Sequence, residues 1–378
     1  MNASKEKSPH VKSLDGVRGI AVLLVILIHS HLCSFGWVGV QMFFVLSGFL
    51  ITRILISETG ENLKNYLLRF YWRRGLRIWP VYFGFLGVCV VVYQFTGIPE
   101  TMTTAWVWLT TFTYNLVRYL PGFQDSNYFG HFWTLCIEEQ FYLVWPFVVF
   151  FLSRDWLRRV VVILVVIGPL IRLVSGVWLG AHFGNVNLIA KGIHNWPTSH
   201  LDAFAIGALL TLLPDQLRQW MGPRATNLLI AALALVVTAG IAQAWVCQVN
   251  NKPPAWLAFG YGGLADYYQY AWAYTLLNVA SAALVWCALQ ENRLRTWLSW
   301  SWLAYIGKIS FGLYIFHLPL MHISHAIWPA DYHSAQGIIR FAIYFTVTLG
   351  LAAFSYQYFE KRFLALKDSG WGALHRSV

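Results

Sequence analysis

Two polar side chains stand in the apolar run at 14–30: Arg18 near its start and His29 eleven residues further on. In a helix rising about 1.5 Å per residue they lie roughly 16 Å apart along the axis. An imidazole can take a proton near neutral pH, and a guanidinium can hold an anion. Ionisable residues inside a membrane helix usually face a polar cavity and mark a substrate path. Arg18 and His29 are therefore expected at two depths of one path.

A second cluster lies in ENLKNYLLRFYWRRGLRIWP, where Arg73, Arg74 and Arg77 fall about one helical turn apart beside Pro80. Two readings stand. Leu63, Tyr66, Leu67 and Phe70 recur at helical spacing, which fits an amphipathic helix lying on anionic lipid. The arginine spacing also fits a phosphate or pyrophosphate, whose oxygens guanidinium forks bind bidentately.

The third group is the acidic pair Glu138 and Glu139 in GHFWTLCIEEQFYLVWP. Six or seven residues into a span, they are expected roughly 9–11 Å below the outer surface. His29, about fifteen residues above the inner end of its helix, is expected roughly 22 Å up a core about 30 Å thick. The depths agree, so a carboxylate could meet the imidazole there and raise its basicity. Arg172, Asp202 and Lys308 read as helix-to-helix hydrogen bonding. For His317, near the depth of His29, a structural and a functional role both stand. His322, His325 and His333 keep no regular spacing with a carboxylate or cysteine, and the five cysteines lack CxxC spacing, so neither a metal site nor a disulfide framework is indicated.

These residues need a scaffold, and composition says which kind. Of 378 residues, 58% are hydrophobic and only 11% charged, with a mean hydropathy of +0.53. Soluble chains are usually about 25% charged. The 20 Trp and 19 Tyr suit a chain with many lipid–water boundaries. A net charge of +11 would hint at nucleic acid on a soluble protein; here, loops rich in Lys and Arg account for it and no nucleic-acid partner is expected. No small-residue cleavage site follows the first apolar run, which reads as a retained helix.

The pattern predicts an all-α polytopic membrane protein with about ten transmembrane helices. They fall near 14–33, 37–57, 78–97, 132–152, 160–179, 198–214, 227–247, 270–289, 303–325 and 337–358. The shorter segment near 101–120 reads as re-entrant or interfacial. Lys and Arg crowd the loops of one side, while the other side carries only Arg118, Lys191 and Lys252. That asymmetry predicts both termini in the cytoplasm. One membrane domain is expected over 1–378, with tails at 1–13 and 359–378 around a helical bundle at 14–358. No internal repeat is visible, which weighs against inverted-repeat transporters.

Taken together, the motifs resemble the acyltransferase type 3 family, integral membrane proteins that O-acylate sugars and cell-envelope polymers. The matching pieces are LDGVRGIAVLLVILIH, GVQMFFVLSGFLIT, RRGLRIWPVYF, HFWTLCIEEQFYLVWP, LDAFAIGALL, YIGKISFGLYIFHLPL and YFEKRF, in the family's order. The resemblance implies a cytoplasmic acyl-CoA donor, most simply acetyl-CoA, no permanently bound cofactor, and an acceptor reached in the membrane or on its outer side. It makes His29 the catalytic histidine, Arg18 its paired arginine, Arg74 and Arg77 the basic pair before Pro80, and Glu138 and Glu139 the acidic pair. Gln41, Ser47 and Trp133, in the same motifs, join His317 as further site candidates. Two positions depart from the pattern: Gln41 replaces an Asp, and His200 an Arg. No appended hydrolase-like domain is seen, and the short form fits a bacterial inner-membrane enzyme acetylating an exopolysaccharide or lipid-linked oligosaccharide. Succinyl or longer acyl transfer, or polysaccharide transport without chemistry, are the alternatives.

The resulting expectation is a donor with its phosphates on Arg73, Arg74 and Arg77 and its arm threading past Arg18 to His29. There His29 acts as general base, or as a nucleophile forming an acyl-histidine, with Glu138 or Glu139 orienting the ring. The aromatics Trp106, Trp108, Tyr114, Tyr119, Trp196 and Trp256 are candidates for stacking on sugars or for anchoring at the interface.

Overall fold

The computed structural model describes residues 11–98, 101–118, 123, 125–183, 186–251 and 268–374. Among them there is no strand, and the chain is an all-helical, multi-pass membrane protein. Apolar runs form α1 (Lys12–His29), α2 (Val38–Glu58) and α3 (Leu63–Thr96). The short α4 (Met102–Thr110) and α5 (Tyr114–Val117) precede α6 (Trp133–Phe151) and α7 (Arg154–Phe183). Next come α8 (Val186–Asn195), α9 (Leu201–Leu212), α10 (Asp215–Met221), α11 (Ala225–Val249) and α12 (Gln269–Leu289). The C-terminal part holds α13 (Arg293–Leu298), α14 (Ser301–Lys308), α15 (Ser310–Ile327), α16 (Ala335–Ser355) and α17 (Lys361–Leu374).

Among the described residues, seven helical segments are long and apolar enough to cross a bilayer, and eight if the bent pair α14–α15 is one span. The other two expected spans are α1 and α9. α1 has 18 residues and carries Lys12, Asp15 and Arg18; α9 has only 12. At about 1.5 Å per residue α9 is roughly 18 Å long, well short of the hydrocarbon core. Both helices face protein rather than lipid: Val17, Ala21, Val22 and Val25 are buried in α1, and Ala203, Phe204, Ala205 and Ala208 in α9. Polar residues are tolerated where they face a bundle interior.

The arginine-rich stretch and the third expected span are one helix, since α3 runs for 34 residues through Pro80. Asn62 starts it by accepting from the Asn65 N–H at 2.9 Å. α4 and α5, nine and four residues long, do not span. α4 packs on α3, where the Tyr82 hydroxyl donates to the Leu109 carbonyl at 3.0 Å. The expected C-terminal tail continues the last span as helix, α17 following α16 through a π-helical turn at Tyr356–Glu360. Residues 1–10 and 375–378 of the expected tails lie outside the described residues.

Main chain meets main chain where glycine permits. A Cβ at Gly48 would come 2.0 Å from the Phe204 carbonyl, and one at Gly207 would come 2.0 Å from that of Val45, so α2 and α9 touch directly. A Cβ at Gly307 would lie 1.7 Å from the Asp15 carbonyl, which fixes α14 against the first turns of α1. Just beyond, α14 and α15 diverge by 71°. Arg172 and Asp202, read as structural, are a fully buried bidentate pair with both Nη–Oδ distances 2.8 Å. The Tyr270 and Ser199 carbonyls accept further N–H groups of Arg172 at 3.0 and 2.6 Å, so the guanidinium ties α7, α9 and α12 together.

Candidate active site

Three cavities follow one another between the helices. The first, about 390 Å³, is a basic vestibule walled by Arg18, Arg53, Arg77, Lys308 and Lys367, with Asp15 and Glu360 as its carboxylates. Arg18 is held by Asp15, one helical turn earlier, at 2.5 Å. Arg53 and Arg77 hydrogen-bond to no protein atom among the described residues. Lys308 sits at the α14–α15 break with its ammonium 5.5 Å above the Tyr356 ring.

The second cavity, about 110 Å³, shares Arg18, Leu50, Arg77 and Phe311 with the first. Arg74, Ser47, Glu138 and Tyr142 also line it. Ser47 donates to Glu138 Oε1 at 2.6 Å and meets the Tyr142 hydroxyl at 3.1 Å. The Arg74 guanidinium lies 5.5 Å over the Tyr142 ring.

The third and largest cavity, about 680 Å³, shares Val40, Thr134 and Tyr314 with the second. These three residues form a neck, closed by Tyr314, whose hydroxyl hydrogen-bonds to Thr134 Oγ1 and donates to the His131 carbonyl. Beyond it, His29, His131, His194, Trp37 and Trp133 wall a chamber. His317 backs His29, with Nε2 of His317 3.2 Å from Nδ1 of His29. The neighbouring acceptors set the protons. Nδ1–H of His317 donates to the Tyr314 carbonyl at 2.7 Å, so its Nε2 carries a lone pair. Nδ1–H of His29 is shared between that lone pair and the Val25 carbonyl at 2.8 Å. Nε2 of His29 is left with its lone pair, the form a general base requires.

At the chamber's rim, Arg118 donates to Asp125, to the Gly130 carbonyl at 3.1 Å and to Asn195 Oδ1 at 2.7 Å. Lys191 adds a second cation 3.1 Å from Asp125. Partial burial works to raise the Asp125 carboxyl, yet the two cations hold it below the usual carboxylate range. Among the described residues no three His, Cys, Asp or Glu side chains gather to hold a metal ion.

The profile of a type 3 acyltransferase family, described as an acyltransferase domain, matches residues 11–357. The chain belongs to this family. It is similar to the peptidoglycan O-acetyltransferase OatA of Listeria monocytogenes, 28% identical over 93% of this chain and 55% of that protein. It is similar in the same degree to the O-acetyltransferase OatA of Staphylococcus aureus, over 93% of this chain and 57% of that one. The putative peptidoglycan O-acetyltransferase YrhL of Bacillus subtilis is 26% identical over 98% of this chain and 57% of its own. The chain thus spans little more than half the length of these curated relatives. No solved structure matches it.

Arg18, Arg74, Arg77, Ser47, Glu138, Trp133 and His29 all line the three adjoining cavities. Others do not. Arg73 pairs with Glu58 at 3.0 Å, off the cavities, because it projects from α3 toward α2. Glu139 turns toward α3 and accepts from Trp79 Nε1 at 3.3 Å. The expected meeting of a carboxylate with His29 is not realised. α1 ends at His29, so the imidazole stands level with Thr134 and Trp133 at the start of α6. Glu138, four and five residues deeper than these, falls about 6–7.5 Å further in. The imidazole of His317 occupies the place expected of a carboxylate.

Gln41 lies behind the chamber wall and donates to Nδ1 of His200 at 3.2 Å, while Nε2–H of His200 donates to the His194 carbonyl at 2.8 Å. The two positions that depart from the family resemblance therefore touch, joined by a neutral hydrogen bond. Tyr114, a stacking candidate, is fully buried and donates to Asp125 at 2.9 Å, out of reach of a sugar. Tyr119 and Trp256 lie outside the described residues. Spacing missed Arg53, His131, Tyr314 and the vestibule role of Lys308. The nearest signals were the GK pair that ends α14 and the histidine one turn before the acidic pair's helix deepens.

Proposed function

We propose that the chain is an O-acetyltransferase taking acetyl groups from acetyl-CoA to a hydroxyl of a cell-envelope polysaccharide. The observation that carries this is the series of three cavities with shared walls, running from a cationic vestibule to a basic imidazole. A nucleotide-bearing thioester has that distribution: several negative charges at one end, a thin neutral arm, and the reactive carbonyl at the far tip. Its phosphates would rest on Arg53, Arg74 and Arg77, which have guanidinium donors to spare. The arm would follow Arg18 inward, and the roughly 16 Å rise to His29 suits its length.

The positive-charge asymmetry supports a cytoplasmic vestibule and an outward-facing chamber, with both termini cytoplasmic in a bacterial inner membrane. His29 Nε2 would then accept the acceptor's proton, with its ring held by His317 and the Val25 carbonyl. Trp37 and Trp133 supply aromatic faces for a sugar. The names of the relatives favour peptidoglycan as the acceptor. An exopolysaccharide or a lipid-linked oligosaccharide presents the same hydroxyl chemistry.

Purified protein in vesicles, given acetyl-CoA labelled in the acetyl group, is expected to label an acceptor glycan. Mass spectrometry of the envelope glycans with and without the gene would identify the acyl group and the polymer. His29→Ala should abolish acylation while the polymer is still exported. Loss of export with intact acylation would make the chain a transporter.

A further inference from the structure

We propose that His131 is a catalytic residue that donates an N–H to the acyl carbonyl oxygen as that oxygen gains charge. The proposal rests on the transferase reading above. His131 is 2% exposed and lines the chamber; the Ile315 carbonyl lies near its ring, but among the described residues neither ring nitrogen makes a hydrogen bond of good geometry. A buried polar group left unsatisfied is costly, so its retention asks for a ligand.

Position identifies the ligand atom. The ring centroid of His131 lies 5.1 Å from that of Tyr314 and 4.9 Å from that of His317. Its own carbonyl accepts from Tyr314 of the neck and has Thr134 Oγ1 3.4 Å away, which ties it to the point where a thioester would leave the neck. A sugar would enter past Ser34, Asn127 and His322, which line the same chamber away from the neck residues in sequence. Of the three imidazoles, His29 and His317 spend their Nδ1–H groups on the Val25 and Tyr314 carbonyls. Of these three, only His131 has no well-formed hydrogen bond at either ring nitrogen among the described residues.

In the reaction the acceptor oxygen bonds to the thioester carbon and its proton passes to Nε2 of His29. The carbonyl π pair moves onto oxygen, where the His131 N–H meets it. That pair then returns, the C–S bond breaks, and His29 gives its proton to the leaving thiolate. The products are an ester and a free thiol. Removing one such preorganised donor costs about 10²–10³ in kcat in other acyl transferases and hydrolases.

The test compares three variants of the full chain in vesicles, with acetyl-CoA and the glycan acceptor. His131→Ala should lower kcat by about 10²–10³-fold with donor KM little changed. His131→Gln keeps an N–H donor at similar reach, whereas His131→Met fills the space without one. Gln is therefore expected to turn over much faster than Met, and this comparison holds even if the Ala variant fails to fold. Equal rates for Gln and Met, or a wild-type rate for Ala, would overturn the proposal. Absence of transfer by the wild-type chain would instead sink the transferase reading.

Discussion

Nε2 of His317 faces Nδ1 of His29 at 3.2 Å, and the polar contacts of the pair run to backbone carbonyls rather than to a carboxylate. On the proposed reading, a neutral imidazole would do here what an acid does in a Ser-His-Asp triad: hold the base in one tautomer. It would do so with no carboxylate beside the imidazolium among the described contacts, so a proton taken by His29 would be readily returned to the leaving group.

If His317 orients His29, His317→Ala should lower kcat by about 10²-fold with little change in donor KM. His317→Gln, whose amide oxygen can accept from Nδ1–H, should recover part of the loss. Steady-state kinetics of the two variants checks this. Glu138→Gln should leave the pH profile of kcat in place, because Glu138 bonds Ser47 rather than His29.

Arg74 and Arg77 line the inner cavities, and Arg73 does not. Charge-assisted hydrogen bonds are worth about 1.5–3 kcal/mol each. Arg74→Ala and Arg77→Ala should thus each raise donor KM about tenfold or more, and Arg73→Ala should leave it unchanged. Donor titrations would settle the matter, and a large effect at Arg73 would move the phosphate site.

The Gln41–His200 contact predicts a coupled pair. Gln41→Asp alone buries a carboxylate beside a neutral ring, and His200→Arg alone buries an unpaired cation. Each should lower thermal stability, and the double variant should regain much of the loss, with a coupling of about 1–3 kcal/mol. Unfolding midpoints of the four proteins in detergent give the number. Simple additivity would count against direct contact in the membrane-embedded protein.

Asp125 sets a pH dependence at the rim. Its folded carboxyl titrates below its unfolded value, so its contribution to stability is whole above about pH 4. It is lost as pH falls through the folded value. Asp125→Asn should therefore unfold at lower temperature than wild type at neutral pH, and the gap should close in acid. A gap independent of pH would show that the charge is not what fastens the rim.

Much of this arrangement was legible in residue order. Helical spacing placed Arg18 and His29 on one helix and grouped Arg74 with Arg77, while Trp133 entered only through a motif of the family resemblance. What spacing could not give was rotation about each axis and the level at which each helix begins. Glu138 and Glu139 are adjacent in sequence, yet only Glu138 faces a cavity. An expected span of 14–33 left a further turn of helix beyond His29, whereas α1 stops at that residue and the imidazole stands level with Trp133. Lys308 gained a vestibule position because the chain breaks after it, a bend that apolar composition on both sides conceals.

The collar of Val40, Thr134 and Tyr314 bears on the energetics of the cell as well as on the reaction. An open tube through a bilayer would short-circuit the proton-motive force. If the chain transfers acyl groups as proposed, a phenol latched across the passage would part for a slender thioester arm and otherwise deny protons an open column, so that acyl units would be exported without discharging the membrane.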